Sequence, residues 1–387
     1  MNNNKFANFL KKPIVAILFA LLLGLLVGAI VFALAGFNPG QAYGIMIREI
    51  FTKPKNFSQV VVNAVPIIFT GLAFSFTSRA GLFNIGIEGQ FMLGAMTAAL
   101  VGHFIGLPMV IHPLVILILA FFIGGLWGAF SGFLKAKFAI HEVISTIMLN
   151  WIAYYLNNFI VNLDFVKEPN TLHSKAIRET AVIKFVSTEW RRSEAGREFI
   201  KANPFLGNVI KTDVGWGIIL AIIFAILFWF ILNHTKRGYE VRAVGLNKYA
   251  AEFSGISVDK NIIFTMFISG GLAALGGAIL VMTSTNFISV LAGQEGYGWD
   301  GMSVALIGNT SPLGVLPAGL LFAALSHGGT LVQSQIGAPT EIIKIIIGVI
   351  VLAIAIASLL PRLADNLNRR SLDKSLAEKN KEEAKDE

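Results

Sequence analysis

Residues Val110–Phe133 read VIHPLVILILAFFIGGLWGAFSGF, 24 positions without a single Lys, Arg, Asp or Glu. A helix rises about 1.5 Å per residue, so some 17–25 apolar residues cross the roughly 30 Å hydrocarbon layer of a membrane. This stretch is long enough and bare enough of charge to do so. Working outward, comparable runs occupy Ile14–Phe37, Val60–Phe76, Ile85–Phe104, Val143–Val161, Gly215–Leu232, Ile262–Met282 and Ile342–Leu360, which makes eight. The composition agrees: 55% hydrophobic residues, 14% charged and a mean hydropathy of +0.69 belong to a membrane chain. The expected fold is therefore all-α, a polytopic transmembrane helix bundle. Ile14–Phe37 is longer than the apolar core of a cleaved signal, so it reads as an uncleaved first span.

Between the last two runs lies a less regular region, Gly296–Gly329, whose apolar pieces Met302–Ile307 and Leu313–Leu325 are too short to cross unaided. It reads as a re-entrant or broken-helix hairpin, tolerated at membrane depth only where protein or a water-filled cavity covers its backbone. Small residues repeat at helical spacing at Gly124, Gly128 and Gly132 and at Gly24 and Gly28, faces along which helices approach closely in lipid. Leaving aside 164–214, which carries 9 basic and 7 acidic residues, 18 Lys and Arg fall on one side of the spans and 4 on the other. The positive-inside rule then makes both termini and Asn233–Asn261 cytoplasmic and 164–214 an external loop. The expected organisation is a cytoplasmic segment 1–13, a membrane domain 14–360 and a charged cytoplasmic tail 361–387.

The net charge of +8 follows the span ends rather than forming a basic run interleaved with aromatics, so nucleic acid is not an expected partner. With no cysteine, disulfides, thiolate catalysis and Cys-based metal sites are excluded. No Gly-Lys dipeptide occurs, which rules out a P-loop. His141-Glu142 lacks the second histidine of a zinc-protease helix, and Ser131 lacks the Gly-x-Ser-x-Gly spacing. No convergent catalytic set is present, and the chain is not expected to be an enzyme.

Three segments carry polar chemistry in this apolar chain. Arg79-Ala80-Gly81-Leu82-Phe83-Asn84-Ile85-Gly86-Ile87-Glu88-Gly89-Gln90 places three glycines, two amides and a carboxylate where an ordinary span would have none. It reads as a helix break in which Asn84, Glu88 and Gln90 satisfy the released backbone groups or face a transport path. In the second, Glu295-Gly296-Tyr297-Gly298-Trp299-Asp300-Gly301 runs on to Gly308-Asn309-Thr310. Trp299 can stack on a planar ligand while Asp300 and Asn309 bond its edge, or serve as an interface anchor. The third, Arg237–Ile256, has Asn247 as a helix N-cap, Lys248–Phe253 as a short helix and Gly255 as its stop, either a docking knob or a plain interfacial helix.

Together these segments resemble permease subunits of ATP-binding cassette importers of the ribose and branched-chain amino acid type, in the branch associated with nucleoside or simple-sugar uptake. The resemblance runs over most of Val60–Ala355 and is strongest at Gly81–Gly94, at Arg242-Ala243-Val244-Gly245-x-Asn247-x-x-Ala250-Ala251, and at Asp300-Gly301 with Val304–Asn309. The loop 164–214 is longer and more charged than that pattern. The resemblance implies that Arg242, Gly245, Asn247, Ala250, Ala251 and Gly255 form the element that meets a separate ATPase. It also implies a second, related permease, giving a heterodimer, and an external substrate-binding lipoprotein. This chain would bind no cofactor, ATP being used by the partner, and it would sit in the bacterial cell membrane. A secondary transporter or channel for a small polar solute fits the spans and Glu88 as well, but would run without ATP.

Overall fold

In lipid a spanning segment must satisfy its own backbone, which leaves a chain of this composition the helix as its regular element. The computed structural model describes residues 13–357, and among them the strand pairing is limited to three isolated bridges. All but the last residue of the segment expected at 1–13, the tail expected at 361–387 and the last residues of the final span lie outside the described residues.

The helices are α1 (Pro13–Leu34), α2 (Pro39–Thr52), α3 (Pro54–Arg79), α4 (Ile87–Phe104), α5 (Ile111–Phe138), α6 (Glu142–Val161), α7 (Thr188–Arg192), α8 (Glu194–Ala202), α9 (Pro204–Ile210), α10 (Gly217–His234), α11 (Lys236–Leu246), α12 (Lys248–Phe253), α13 (Val258–Leu280), α14 (Tyr297–Ile307), α15 (Pro312–Ile336) and α16 (Glu341–Ala357). Among the described residues, six are long and apolar enough to cross a membrane: α1, α3, α5, α10, α15, and α13 with the π turn Val281–Thr285 that extends it. Five of these coincide with expected spans. The other three expected spans are helical as α4, α6 and α16. The first carries Glu88 and Gln90, the second Asn150, Asn157 and Asn158, and the third has only 17 described residues.

Two elements differ from expectation. Leu313–Leu325, expected to be too short to cross, is the first half of the 25-residue α15. The polar run Ser326-His327-Gly328-Gly329-Thr330 ends the apolar stretch but not the helix, since helical hydrogen bonding continues through it. Helix α2, absent from the expectation because it is not apolar throughout, is one-sided, with Ala42, Met46 and Ile50 buried at four-residue spacing.

The chain forms two compact units. In the unit of residues 47–328, α13 lies at the centre, packed on α5, α4 and α3. Its contact with α5 is made through the predicted glycine face. Gly124 lies against the Gly270 carbonyl and Ala274, and a Cβ on Gly128 would overlap the Met266 carbonyl oxygen. Gly94 of α4 meets the Ala274 backbone and Gly277 meets the Phe91 carbonyl, so α13 sits at backbone distance from helices on two sides. The outward faces of α5 and α10 carry exposed apolar stripes, Ile118, Phe122, Leu126 and Phe130 on one and Ile219, Ile223, Ile226 and Phe230 on the other, the faces that meet lipid. The segment 164–214 contains α7–α9 and is stitched to one end of the bundle: Ile183 N donates to Met282 O (3.1 Å), Trp216 N to Ile183 O (3.0 Å) and Arg178 Nε to His103 O (2.8 Å).

In the other unit, described over residues 13–46 and 329–357, α1 packs on α16. Here the predicted Gly24 and Gly28 face receives the Ile350 and Ile346 side chains, and Tyr43 Oη donates to Leu25 O (2.6 Å).

Backbone contact at Gly128 leaves no room for a side chain. Gly128→Leu is expected to lower the melting temperature of the detergent-purified protein by the equivalent of about 3 kcal/mol or abolish folded yield, whereas Gly348→Ala, in an open helical position, should be neutral to stabilising.

Candidate functional site

At the end of α3 the chain leaves the helix at Arg79 and turns through Gly81, whose φ of +68° suits glycine. Ala80, Gly81 and Leu82 still donate their amides to carbonyls of the last turn of α3, and the chain re-enters helix only at Ile87. Beyond Leu82, side chains reach the backbone. Asn84 Oδ1 accepts from Gly86 N (2.9 Å), while its Nδ2 donates to Gln90 Oε1 (3.0 Å) and Ser269 Oγ (2.9 Å). Asn150, on α6, accepts from Gly89 N (2.8 Å) and donates to Ile85 O (2.9 Å). All of these groups are buried.

Glu88 is fully buried, and both carboxylate oxygens are engaged. Oε1 accepts from Gly296 N (2.7 Å) and Oε2 from Gly298 N (2.6 Å). These amides belong to the cap and first turn of α14, an end that bears partial positive charge, so the carboxylate binds both the donors and the helix dipole. The approach is close enough that a Cβ on Gly298 would lie 2.6 Å from Glu88 N. Thr70 Oγ1 donates to Tyr297 O (2.9 Å), and the Tyr297 ring stacks on Phe91 with centroids 4.7 Å apart.

The opposite end of α14 is held by the same connection. Arg79 Nε donates to Thr310 O (3.0 Å) and its Nη2 to Asn309 O (3.2 Å), at a turn where Asn309 and Thr310 both have positive φ. A guanidinium at a helix C-terminus complements the dipole as the carboxylate does at the other end. Eleven residues make α14 about 16 Å long. The hairpin expected to re-enter thus reaches the Arg79 end of the bundle before α15 begins.

Asn84, Glu88 and Gln90 therefore come together as predicted for a helix break. Trp299, 46% exposed, and Asp300 lie in the first turn of α14. Asn309 does not join them: it sits at the far end of the helix, roughly 15 Å away by helical rise. Sequence reasoning placed α6 as a span but missed its polar face. Besides Asn150, Tyr154 Oη and Asn158 Nδ2 donate to Leu291 O (both 2.9 Å), and Asn157 Nδ2 donates to Ser289 O (2.9 Å), satisfying the irregular chain that leads into α14. The available signal was a polar ladder at 150, 154, 157 and 158, one face of an otherwise apolar helix.

At the Arg79 end, Asn247 caps α12, its Oδ1 accepting from Tyr249 N (3.0 Å) and Ala250 N (3.1 Å), and Gly255 follows with φ +81°. Gly245, in the last turn of α11, contacts the Arg79–Gly81 turn backbone to backbone. Arg242, Arg79 and Thr310 line a cavity of about 530 Å³ beside this contact. Ala251 is buried whereas Ala250 is exposed, and Leu246, Tyr249 and Phe253 project with exposures of 88%, 71% and 96%.

Residues 56–355 match the family described as branched-chain amino acid transport system / permease component. The chain belongs to this permease family. The permease is 35% identical over 339 residues to the guanosine ABC transporter permease protein NupP of Bacillus subtilis, covering 87% of this chain and 92% of that one. It is 34% identical to the nucleoside ABC transporter permease protein NupB of Lactococcus lactis, covering 92% of each chain. The glucose ABC transporter permease protein TsgB13 of Haloferax volcanii is 30% identical, over 88% of this chain and 85% of that one. No solved structure matches the permease. Like its family, it resides in the cell membrane.

Replacing Glu88 leaves the Gly296 and Gly298 amides without acceptors. Glu88→Ala is expected to cost about 3 kcal/mol or more and to lower transport per folded molecule, with Glu88→Gln, which keeps one acceptor oxygen, falling between; thermal unfolding and uptake measured on the same preparations check both.

Proposed function

We propose that this permease is a membrane subunit of an ATP-driven importer that moves nucleosides into the cell. The observation that carries the coupling half of this reading is α12. A six-residue helix, capped by Asn247 and stopped by Gly255, holds Leu246, Tyr249 and Phe253 outward, and its root at Gly245 bears on the Arg79 turn that grips α14. A secondary transporter has no need of such a knob. The substrate half is supported by the guanosine and nucleoside permeases among the relatives.

In this reading a separate ATPase binds α12, hydrolyses the ATP and pushes on α11, and this chain binds no cofactor. A second, related permease completes the path, a reading supported by the presence in Bacillus subtilis of two guanosine ABC transporter permease proteins, NupP and NupQ, that are both relatives of this chain. An external lipoprotein delivers the substrate. Trp299 and Asp300 face the path, Asn84, Glu88 and Gln90 hold its wall, and Asn309 lies where the path meets the coupling end. Arg242, Gly245, Asn247, Ala250, Ala251 and Gly255 form the coupling element. The topology of this reading is about eight full spans plus the broken-helix hairpin of α14 and α15, and the charge asymmetry supports its sidedness, with both termini and α12 cytoplasmic and 164–214 external.

Sidedness is testable because the chain has no cysteine. In intact cells a membrane-impermeant thiol reagent should label Trp190→Cys and not Lys248→Cys; the reverse pattern inverts the topology. Coupling is tested at the two alanines. Ala250→Glu should fold, reach the membrane, lose co-purification with the ATPase and lose ATP-dependent uptake of guanosine in proteoliposomes, while Ala251→Glu, whose side chain is buried, should fail to fold. Full uptake by Ala250→Glu would remove the coupling assignment, and ATP-driven uptake of glucose but not guanosine would remove the nucleoside one.

A further inference from the structure

The segment α7–α9 carries features that the importer reading leaves unused. Its short helices border an open pocket of about 510 Å³ whose lining includes Arg191, Arg192, Arg197, Lys201 and Lys211 and no carboxylate. Arg191 is engaged by Asp213 (3.1 Å) and by the carbonyls of Ile210, Lys211 and Thr212, so it builds the wall. Arg192, Arg197, Lys201 and Lys211 are exposed, and among the described residues none of them forms an ion pair. Four like charges converging on one cavity repel one another unless an anion joins them.

Apolar groups flank these cations. Trp190 and Phe199 pack edge to face at 5.8 Å and both remain partly exposed, and Phe205 and Leu206 at the start of α9 are 68% and 49% exposed. Basic side chains beside exposed Trp, Phe and Leu on short helices make the pattern of a segment lying in a membrane interface. Position supports the same occupant. The stem closes at the Lys184 and Gly215 bridge, and α10, whose exposed isoleucine stripe meets lipid, begins two residues later at Gly217. Since two residues span at most about 7 Å, the stem leaves the bundle within that distance of the first turn of the apolar α10, the depth at which a spanning helix meets the headgroups. Helix α9 also rests against α3, which keeps the cavity close to the bundle wall.

We infer that α7–α9 form a binding site for the phosphate of an anionic phospholipid, with Arg192, Arg197, Lys201 and Lys211 holding the headgroup and Trp190, Phe199, Phe205 and Leu206 resting among the acyl chains. The site accounts for the excess of positive charge in a loop that the sequence places outside. It does not depend on which solute the permease carries.

The test uses the full-length permease in detergent, with bound lipid counted by native mass spectrometry and stability followed by thermal unfolding during titration with phosphatidylglycerol, phosphatidylcholine or inorganic phosphate. Phosphatidylglycerol should bind and stabilise; the other two should not. The triple variant Arg192→Gln, Arg197→Gln, Lys201→Gln should keep its lipid-free melting temperature and lose about tenfold or more in phosphatidylglycerol affinity, each cation near a membrane surface contributing on the order of fivefold. The control pair Lys167→Gln, Lys175→Gln, basic residues of the same loop outside the cavity, should bind as the parent does. Equal binding of the two lipids, displacement of phosphatidylglycerol by inorganic phosphate, an equal loss in the control pair, or unchanged lipid binding in the triple variant would each overturn the inference. Should the triple variant keep its lipid but lose association with an external protein, the cavity is a protein interface instead.

Discussion

Two hydrogen bonds, from the amides of Gly296 and Gly298 to the carboxylate of Glu88, join the two irregular regions of this protein. Without them the first turn of α14 would present bare donors and a positive dipole end to an apolar interior, and Glu88 would be a charge with no partner. Each cost is large in a medium of low polarity, and each is removed by the other group. The dependence extends outward. Irregular backbone on either side of the contact is tolerated because Asn84, Asn150 and Asn158 pair with it, and those side chains can only do so while α4, α6 and α14 keep their positions.

The close packing around α13 serves the same arrangement. Between two helices that both face lipid tails there is no hydrophobic gain in meeting, so association relies on contact area and on backbones coming near. Gly124, Gly128, Gly270 and Gly277 provide that nearness and fix α4 and α5 against one another through the helix between them. A rigid frame of this kind lets α14, anchored at both ends by one connection of the chain, be positioned relative to α3 and α4 rather than by its own short length.

Much of this was legible in the sequence because lipid imposes a coarse rule. Apolar length located the frame helices, glycine spacing located their contact faces, and Asn247 with Gly255 bounded α12. The family was readable from the same polar segments that the structure brings together. What escaped had particular causes. Helix α15 was read short because polar residues from Ser326 onward break the apolar run while leaving helical bonding intact, and α2 was missed because a one-sided helix has no long apolar run. The pairing of Glu88 with Gly296 and Gly298 joins positions more than 200 residues apart and follows from no local pattern. Asn309 was grouped with Trp299 and Asp300 by sequence proximity, yet a helix of three turns carries it to the opposite end. The amide ladder of α6 was visible as a pattern, but its purpose appears only beside the backbone it serves.

The contact between Gly245 and the Arg79–Gly81 turn has a mechanical consequence. Side chains in contact act as springs, because a rotamer change absorbs part of any displacement. Here the touching atoms are main chain on both sides, with no side chain on Gly245 or Gly81 to yield. From there Arg79 reaches the carbonyls of Asn309 and Thr310, so only one flexible side chain stands between α11 and the half-helix. The joint is therefore stiff in compression, and a movement of α11 toward the bundle is conveyed to α14 with little slack.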